Sequence, residues 1–267
     1  MTQTLAPRTG TRSAPVLALN DCLVLIGRNL RHVLRNPDQV IQVLALPVIL
    51  LLLFRYLFGG AINTGDVVYV NYLIAGLLVI SVAFNSTSTA VGVAADLQNG
   101  IVERFRSMPM LGQAVLIGHM VAGVLRNLLS TVILVGLGLV VGFRPTAGIG
   151  GWLGALGLLL LFMVGISWLA VLLGIVAGSV EGASGLSMIM VFLPYASSAL
   201  VPADSMPAGL RFFVENQPVT PVIDAVRALL LDLPVGDSAW IALAWWLAFT
   251  ALAATLAART FRRRSSR

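Results

Sequence analysis

The chain has 267 residues, 58% of them hydrophobic and only 10% charged, with a formal net charge of +6. A soluble domain carries roughly 25% charged residues, so this composition cannot cover a water-exposed surface, and recurring long apolar runs demand an integral helical membrane protein. All 17 basic residues are Arg and none is Lys. A GxxxxGK[ST] phosphate-binding loop needs that Lys, so any ATP hydrolysis must come from another polypeptide.

The Arg residues flank apolar runs rather than forming a groove, which argues for topology and against a nucleic-acid partner. Cys22 is the only cysteine, and His32 and His119 are the only histidines, so neither an intrachain disulfide nor a metal cluster is expected. Asn20 and Asp21 split the one apolar stretch near the start that a cleavable signal peptide would need.

Residues 1–19 read as a polar cytoplasmic tail, and 20–37 as an amphipathic helix lying at the membrane surface. Leu19, Leu23, Ile26, Leu30, Val33 and Leu34 share one side, while Arg28, Arg31 and Arg35 share the other. Asn36-Pro37 ends it, because Pro disfavours helical geometry in the residue before it.

Six apolar spans follow, at roughly 40–58, 69–95, 114–142, 151–177, 183–201 and 239–258. The first holds Arg55 near its far end, placed to snorkel to the interface or to pair within the bundle. The second carries Asn85-Ser86-Thr87-Ser88-Thr89. Five consecutive positions wrap a helix completely, so backbone hydrogen bonding or helix contacts account for most of them. Asn85 and Ser88 are the candidates for lining a transport pathway. In the third, His119 and Arg126 share a face near the inner interface. Gly138/Gly142 and Gly174/Gly178/Gly182 repeat at helix-packing spacing. Glu181 is expected at the inner interface.

Residues 202–237 contain five prolines and two short amphipathic pieces, near 210–214 and 222–231. Neither is long enough to span, so both read as re-entrant or surface-lying helices on the outer side. Asp224 and Arg227 stand three apart and pair weakly if exposed. Trp240 suits an interfacial belt, and 259–267 is a basic cytoplasmic tail. The Arg distribution places both termini in the cytoplasm and the 202–237 segment outside.

Between the second and third spans lies Asp96–Met110, DLQNGIVERFRSMPM. On a helix Leu97, Ile101, Phe105 and Met108 form one ridge, with Glu103 and Arg106 opposite and Pro109 as the stop. Such a helix either docks on a soluble partner or serves as solvated punctuation that enforces topology.

The run from Asp96 through Arg126, with Gly100, Glu103, Arg104, Arg106, Pro109 and Arg126, resembles the signature of ABC-2-type permeases. It is closest to the daunorubicin/doxorubicin-resistance permease branch. The segment ENQPVTPVIDAVRALLL, residues 215–231, resembles that family's stretch before its last span. The resemblance implies an all-α transmembrane domain over 38–258 in the plasma membrane. It implies a non-enzymatic permease subunit of an exporter, moving hydrophobic drugs, antibiotics or lipids. Its partners would be two copies of an ATPase subunit and a second permease, with ATP bound only by the ATPase. Leu97, Gly100, Ile101, Glu103, Arg104, Phe105, Arg106, Met108 and Pro109 would then form the ATPase-coupling element. Two alternatives stay open from sequence: export of a polysaccharide or glycolipid precursor, and an ion-coupled transporter. The second is disfavoured because no Asp or Glu sits at the centre of a predicted span.

Overall fold

In the computed structural model of the chain, residues 37–60, 62, 64, 67–100 and 113–265 are described. All their regular structure is helical. The amphipathic helix expected at 20–37, with Arg28, Arg31 and Arg35, lies outside the described residues except for Pro37. Helix α1 runs Pro37–Leu52 and continues as a π-helical turn, Leu53–Phe58. It is followed by α2 (Tyr69–Gln98), α3 (Gln113–Val141), α4 (Ile149–Ala177) and α5 (Val180–Tyr195). After a 3-10 turn at Ala203–Ser205 come α6 (Ala208–Asn216), α7 (Thr220–Leu230) and α8 (Ser238–Ser265).

Among the described residues four helices, α2, α3, α4 and α8, are long and apolar enough to cross a membrane. At 1.5 Å per residue, α2 with its 30 residues is about 45 Å long, well beyond the roughly 30 Å hydrocarbon core. Residues Leu44–Phe58 and α5 are apolar but shorter. The fifth apolar helix stops at Tyr195 rather than reaching 201.

Helix α2 is the central pillar. It packs against α1, α3, α4, α5 and α7, so little of its surface is left for lipid. Its sequence suits that place, because its apolar residues lie all round the helix and leave no continuous polar face to turn outward. Within a bilayer, helices are held mainly by close packing rather than by expulsion of water. Gly76 and Gly174 allow it: a Cβ at Gly76 would strike the backbone of Ala199, and one at Gly174 would strike the carbonyl of Ala90. On the opposite side of α4, Trp246 of α8 meets Phe162 edge-on, ring centroids 4.5 Å apart.

The small-residue series divides by role. Gly174 packs, but Gly178 ends α4 with φ 75° and Gly182 donates its N–H to the Ser179 cap of α5. A left-handed φ favours Gly because a Cβ is strained there. Likewise Gly138 packs on Ile74 while Gly142 closes α3. Glu181 is exposed in the first turn of α5, where a carboxylate favours the helix dipole.

Helices α2, α3 and α4 alternate in direction, and α8 runs the same way as α4. One end of the bundle gathers Val93 of α2, Leu116 of α3, Val171 and Ile175 of α4, and Ala257 and Phe261 of α8 in one apolar cluster. At the other end, Arg55 donates from Nε to the Val141 carbonyl at 3.4 Å. So Arg55, half-buried, bonds the last residue of α3 at the end of the bundle. The two short helices of the 202–237 segment separate here. Helix α6 lies on the surface, exposing Leu210, Phe212 and Phe213 and burying only Val214. Helix α7 is buried against α2, α4 and α8 along most of its length.

Candidate functional site

Three polar constellations are built into this scaffold. The first is at the end where α2 and α3 meet the 101–112 stretch. Helix α2 does not stop before Asp96; it runs through Gln98, with Asn99 as its C-cap and Gly100 at φ 63°. Leu97 therefore belongs to α2, where it packs against the Val93–Leu116–Phe261 cluster instead of heading a separate ridge. Gly100 ends α2 by the left-handed conformation it tolerates. Ile101, Glu103, Arg104, Phe105, Arg106, Met108 and Pro109 lie outside the described residues. Across the stems, His119 Nε2 lies 2.9 Å from Asp96 Oδ2, with side chains only 13% and 17% exposed. The His119 ring also covers Gly92, one turn before Asp96 on the same face of α2.

The second constellation is a polar seam between α2, α3 and α4. Ser81, Ser86 and Thr87 bond back to carbonyls of their own helix, as expected for hydroxyls in an apolar span. Asn127 Nδ2 donates to Ser86 Oγ at 3.2 Å. Other groups lack partners. Both amide atoms of Asn85, the Asn127 Oδ1, one Arg126 nitrogen and the hydroxyls of Thr89, Ser130, Thr131 and Ser167 are buried without a hydrogen bond. A Cβ on Gly123 of α3 would lie 2.8 Å from Thr89 Oγ1 and 3.2 Å from Ser167 Oγ, so three helices converge there. Each such unpaired group costs about 1–3 kcal/mol. The sequence-chosen pair is not brought together: Asn85 is buried in the seam, whereas Ser88 is exposed. Arg126 is largely withdrawn from solvent beside the seam, and His119 bonds Asp96 rather than acting with it.

The third is at the opposite end. Arg227 pairs with Asp224 as the spacing allowed, but it is buried, so the pair is not the weak one of an exposed surface. It donates to Asp224 Oδ1 at 2.7 Å, to the Ser198 carbonyl at 2.7 Å and to the Tyr72 carbonyl at 3.1 Å. Tyr72 and Ser198 reinforce the knot, the hydroxyl of Tyr72 donating to the Ser198 carbonyl and that of Ser198 to Asp224. Nearby on the surface, Arg211 joins Glu215 and Asp204 at 2.7 Å each. The Glu215 hydrogen bond, with Asp204, raises the guanidinium above its usual range.

Sequence reasoning missed the Asp96–His119 pair and the Tyr72–Arg227 stack. Both join residues distant in the chain. A usable signal existed for the first, since one titratable residue stands close to each end of the same loop.

The model of the ABC-2 type transporter family matches residues 20–231. The chain belongs to that family. The permease is 32% identical over 222 residues to the daunorubicin resistance ABC transporter permease protein DrrB1 of Streptomyces coeruleorubidus, covering 83% of this chain and 78% of the relative. It is 24% identical over 261 residues to the probable doxorubicin resistance ABC transporter permease protein DrrC of Mycobacterium tuberculosis, covering 96% and 94% respectively. These relatives are permease proteins of ABC transporters, and this chain is likewise a transmembrane permease subunit. The matched stretch takes in the 101–112 loop, the polar seam and the Arg227 knot.

Proposed function

We propose that this permease exports a hydrophobic drug-like or lipid cargo, driven by an ATPase subunit that contacts residues 101–112. The observation that carries the cargo reading is the similarity to drug-resistance permeases over most of both chains. The contact reading is supported by the stems on either side of that stretch. They end together, beside the same cluster that holds the Arg-rich end of α8. Glu103, Arg104 and Arg106 set the pose of the partner, and Pro109 ends the contact element. Two ATPase copies and a second permease complete the transporter.

Six crossings fit the alternating helices, with the α1 and α5 spans shorter than the rest. The basic end of α8 then faces the cytoplasm together with 101–112, and the residues 20–37 lie on the inner surface. Asp204, Glu215, Asp224, Asp232 and Asp237 gather in the segment assigned to the outside. The Arg126 position and the unpartnered seam around Asn85 support a polar stretch on the cargo's route.

The test is efflux of an anthracycline from cells, and ATP-driven uptake into inverted vesicles, carrying the permease and its ATPase subunit. Charge reversal at Glu103 and Arg106 is expected to abolish co-purification of the ATPase or to uncouple it, with insertion intact. Normal assembly and efflux in the double reversal would refute the contact reading. ATP-driven efflux that ignores every apolar drug and lipid tried would refute the cargo reading.

A further inference from the structure

We infer that Asp96 and His119 are positioning residues: their bond staples the two stems of the 101–112 loop, so that a displacement of the loop moves α2 and α3 as one body. The inference rests on the reading of that loop as the ATPase contact. Three observations carry it. The bond is short, 2.9 Å, and both side chains are mostly withdrawn from water. A charge-assisted hydrogen bond is strongest where solvent does not compete. The bond also lies where the two stems approach the loop, beside the apolar cluster in which Val93 and Leu97 of α2 meet Leu116 and Met120 of α3. Gly100 breaks α2 just after Asp96, and α3 starts at Gln113, so a pull on the loop has two separate levers to act on.

The third observation concerns what lies beyond the bond. Helix α2 contacts five other helices, whereas α3 is left uncovered by the rest of the chain along much of its length. Without the staple, the less embedded α3 would yield first and the pillar would stay still. With it, the same displacement enters α2 and reaches the polar seam two to three turns away, at Thr89, Ser86 and Asn85, of which Thr89 and Asn85 are unpartnered. The His119 ring over Gly92 extends the contact to a second turn of α2, which resists rotation of α3 about a single bond.

The experiment uses the full transporter in proteoliposomes, with ATPase co-purification, ATP turnover and efflux measured on the same preparations. Asp96→Ala and His119→Ala are expected to keep the ATPase subunit bound and hydrolysing. Efflux per ATP should fall about fivefold or more, the lower end of typical coupling between sites. The exchange Asp96→His with His119→Asp is expected to recover most of that loss. A merely structural role would lower the amount of folded protein but leave the ratio unchanged. Should the alanine variants fail to insert, the pair Asp96→Cys and His119→Cys in a Cys22→Ser background decides. Bridged with a short bis-methanethiosulfonate reagent, it should regain efflux over its unbridged form. Unimpaired efflux per ATP in both alanine variants, or a block of efflux by the bridge, would overturn the staple. Retained ATPase binding distinguishes this failure from that of the contact reading, which instead shows as indifference to reversal at Glu103 and Arg106.

Discussion

Arg227 lies flat against Tyr72, with its guanidinium carbon 3.6 Å from the ring centroid. The same guanidinium reaches two carbonyls and a carboxylate, so one side chain from α7 ties the start of α2 to the turn after α5. A planar fork above a ring face is geometry that Arg satisfies and Lys does not. Arg227→Lys is therefore expected to destabilise the protein by about 2 kcal/mol. This is less than the ~3–5 kcal/mol of a fully buried broken pair, since Asp224 remains partly solvated. Thermal unfolding of the purified permease measures it. An unchanged melting temperature would refute the knot.

Tyr72→Phe separates the two contributions. It keeps the ring beneath Arg227 and removes only the hydrogen bond to the Ser198 carbonyl. The expected loss is about 1 kcal/mol, smaller than for Tyr72→Leu, which also removes the ring. Equal losses in the two variants would show that the stack contributes nothing.

Gly123→Val tests the convergence of α2, α3 and α4. The added Cβ would stand 2.8 Å from Thr89 Oγ1 and 3.2 Å from Ser167 Oγ. Overpacking of this kind costs about 1–3 kcal/mol. Gly136→Val, at a position with open space beside it, is the control and should leave the melting temperature near that of the parent.

Asn85→Leu distinguishes stability from function. The buried amide has no partner at either atom, so an apolar side chain of similar size should be neutral or stabilising. If the seam serves the cargo, efflux falls while the melting temperature holds or rises. Efflux at the parent level would remove Asn85 from the pathway.

Labelling of Gln98→Cys and Ser205→Cys in a Cys22→Ser background tests the topology. Both positions are exposed, and they belong to opposite ends of the bundle. An impermeant thiol reagent should label Ser205→Cys in intact cells and Gln98→Cys only in inverted vesicles. Labelling of both from one side would sink the six-crossing arrangement.

Much of this architecture is readable in the chain because a bilayer imposes it. Apolar runs long enough to span must become helices, since backbone groups find no water there. The sequence therefore locates each of the six apolar helices within a few residues, apart from the early end of α5 at Tyr195 and the extension of α8 through its arginines to Ser265. The absence of Lys and the loop between the second and third helices likewise point to a partner from composition and pattern alone. Side-chain partnership was not legible in the same way. Nothing local distinguishes the exposed α6 from the buried α7, since both are short and amphipathic; the helices packed around them make that choice. Leu97 shows the same limit, because its periodicity fits a loop ridge as well as the last turn of α2, and only the left-handed Gly100 decides between them.

The Asp96–His119 and Tyr72–Arg227 contacts belong to this second kind. Their partners are 23 and 155 residues apart, brought together by which helices neighbour α2 rather than by any spacing in the chain. Hydrophobic runs, their lengths and the charges between them are local quantities, sufficient for a membrane bundle with a charged loop at one end. Which polar side chains find a partner, and which stay unpaired in the seam around Gly123, depends on the packing of helices against one another. The tertiary structure alone contains that information.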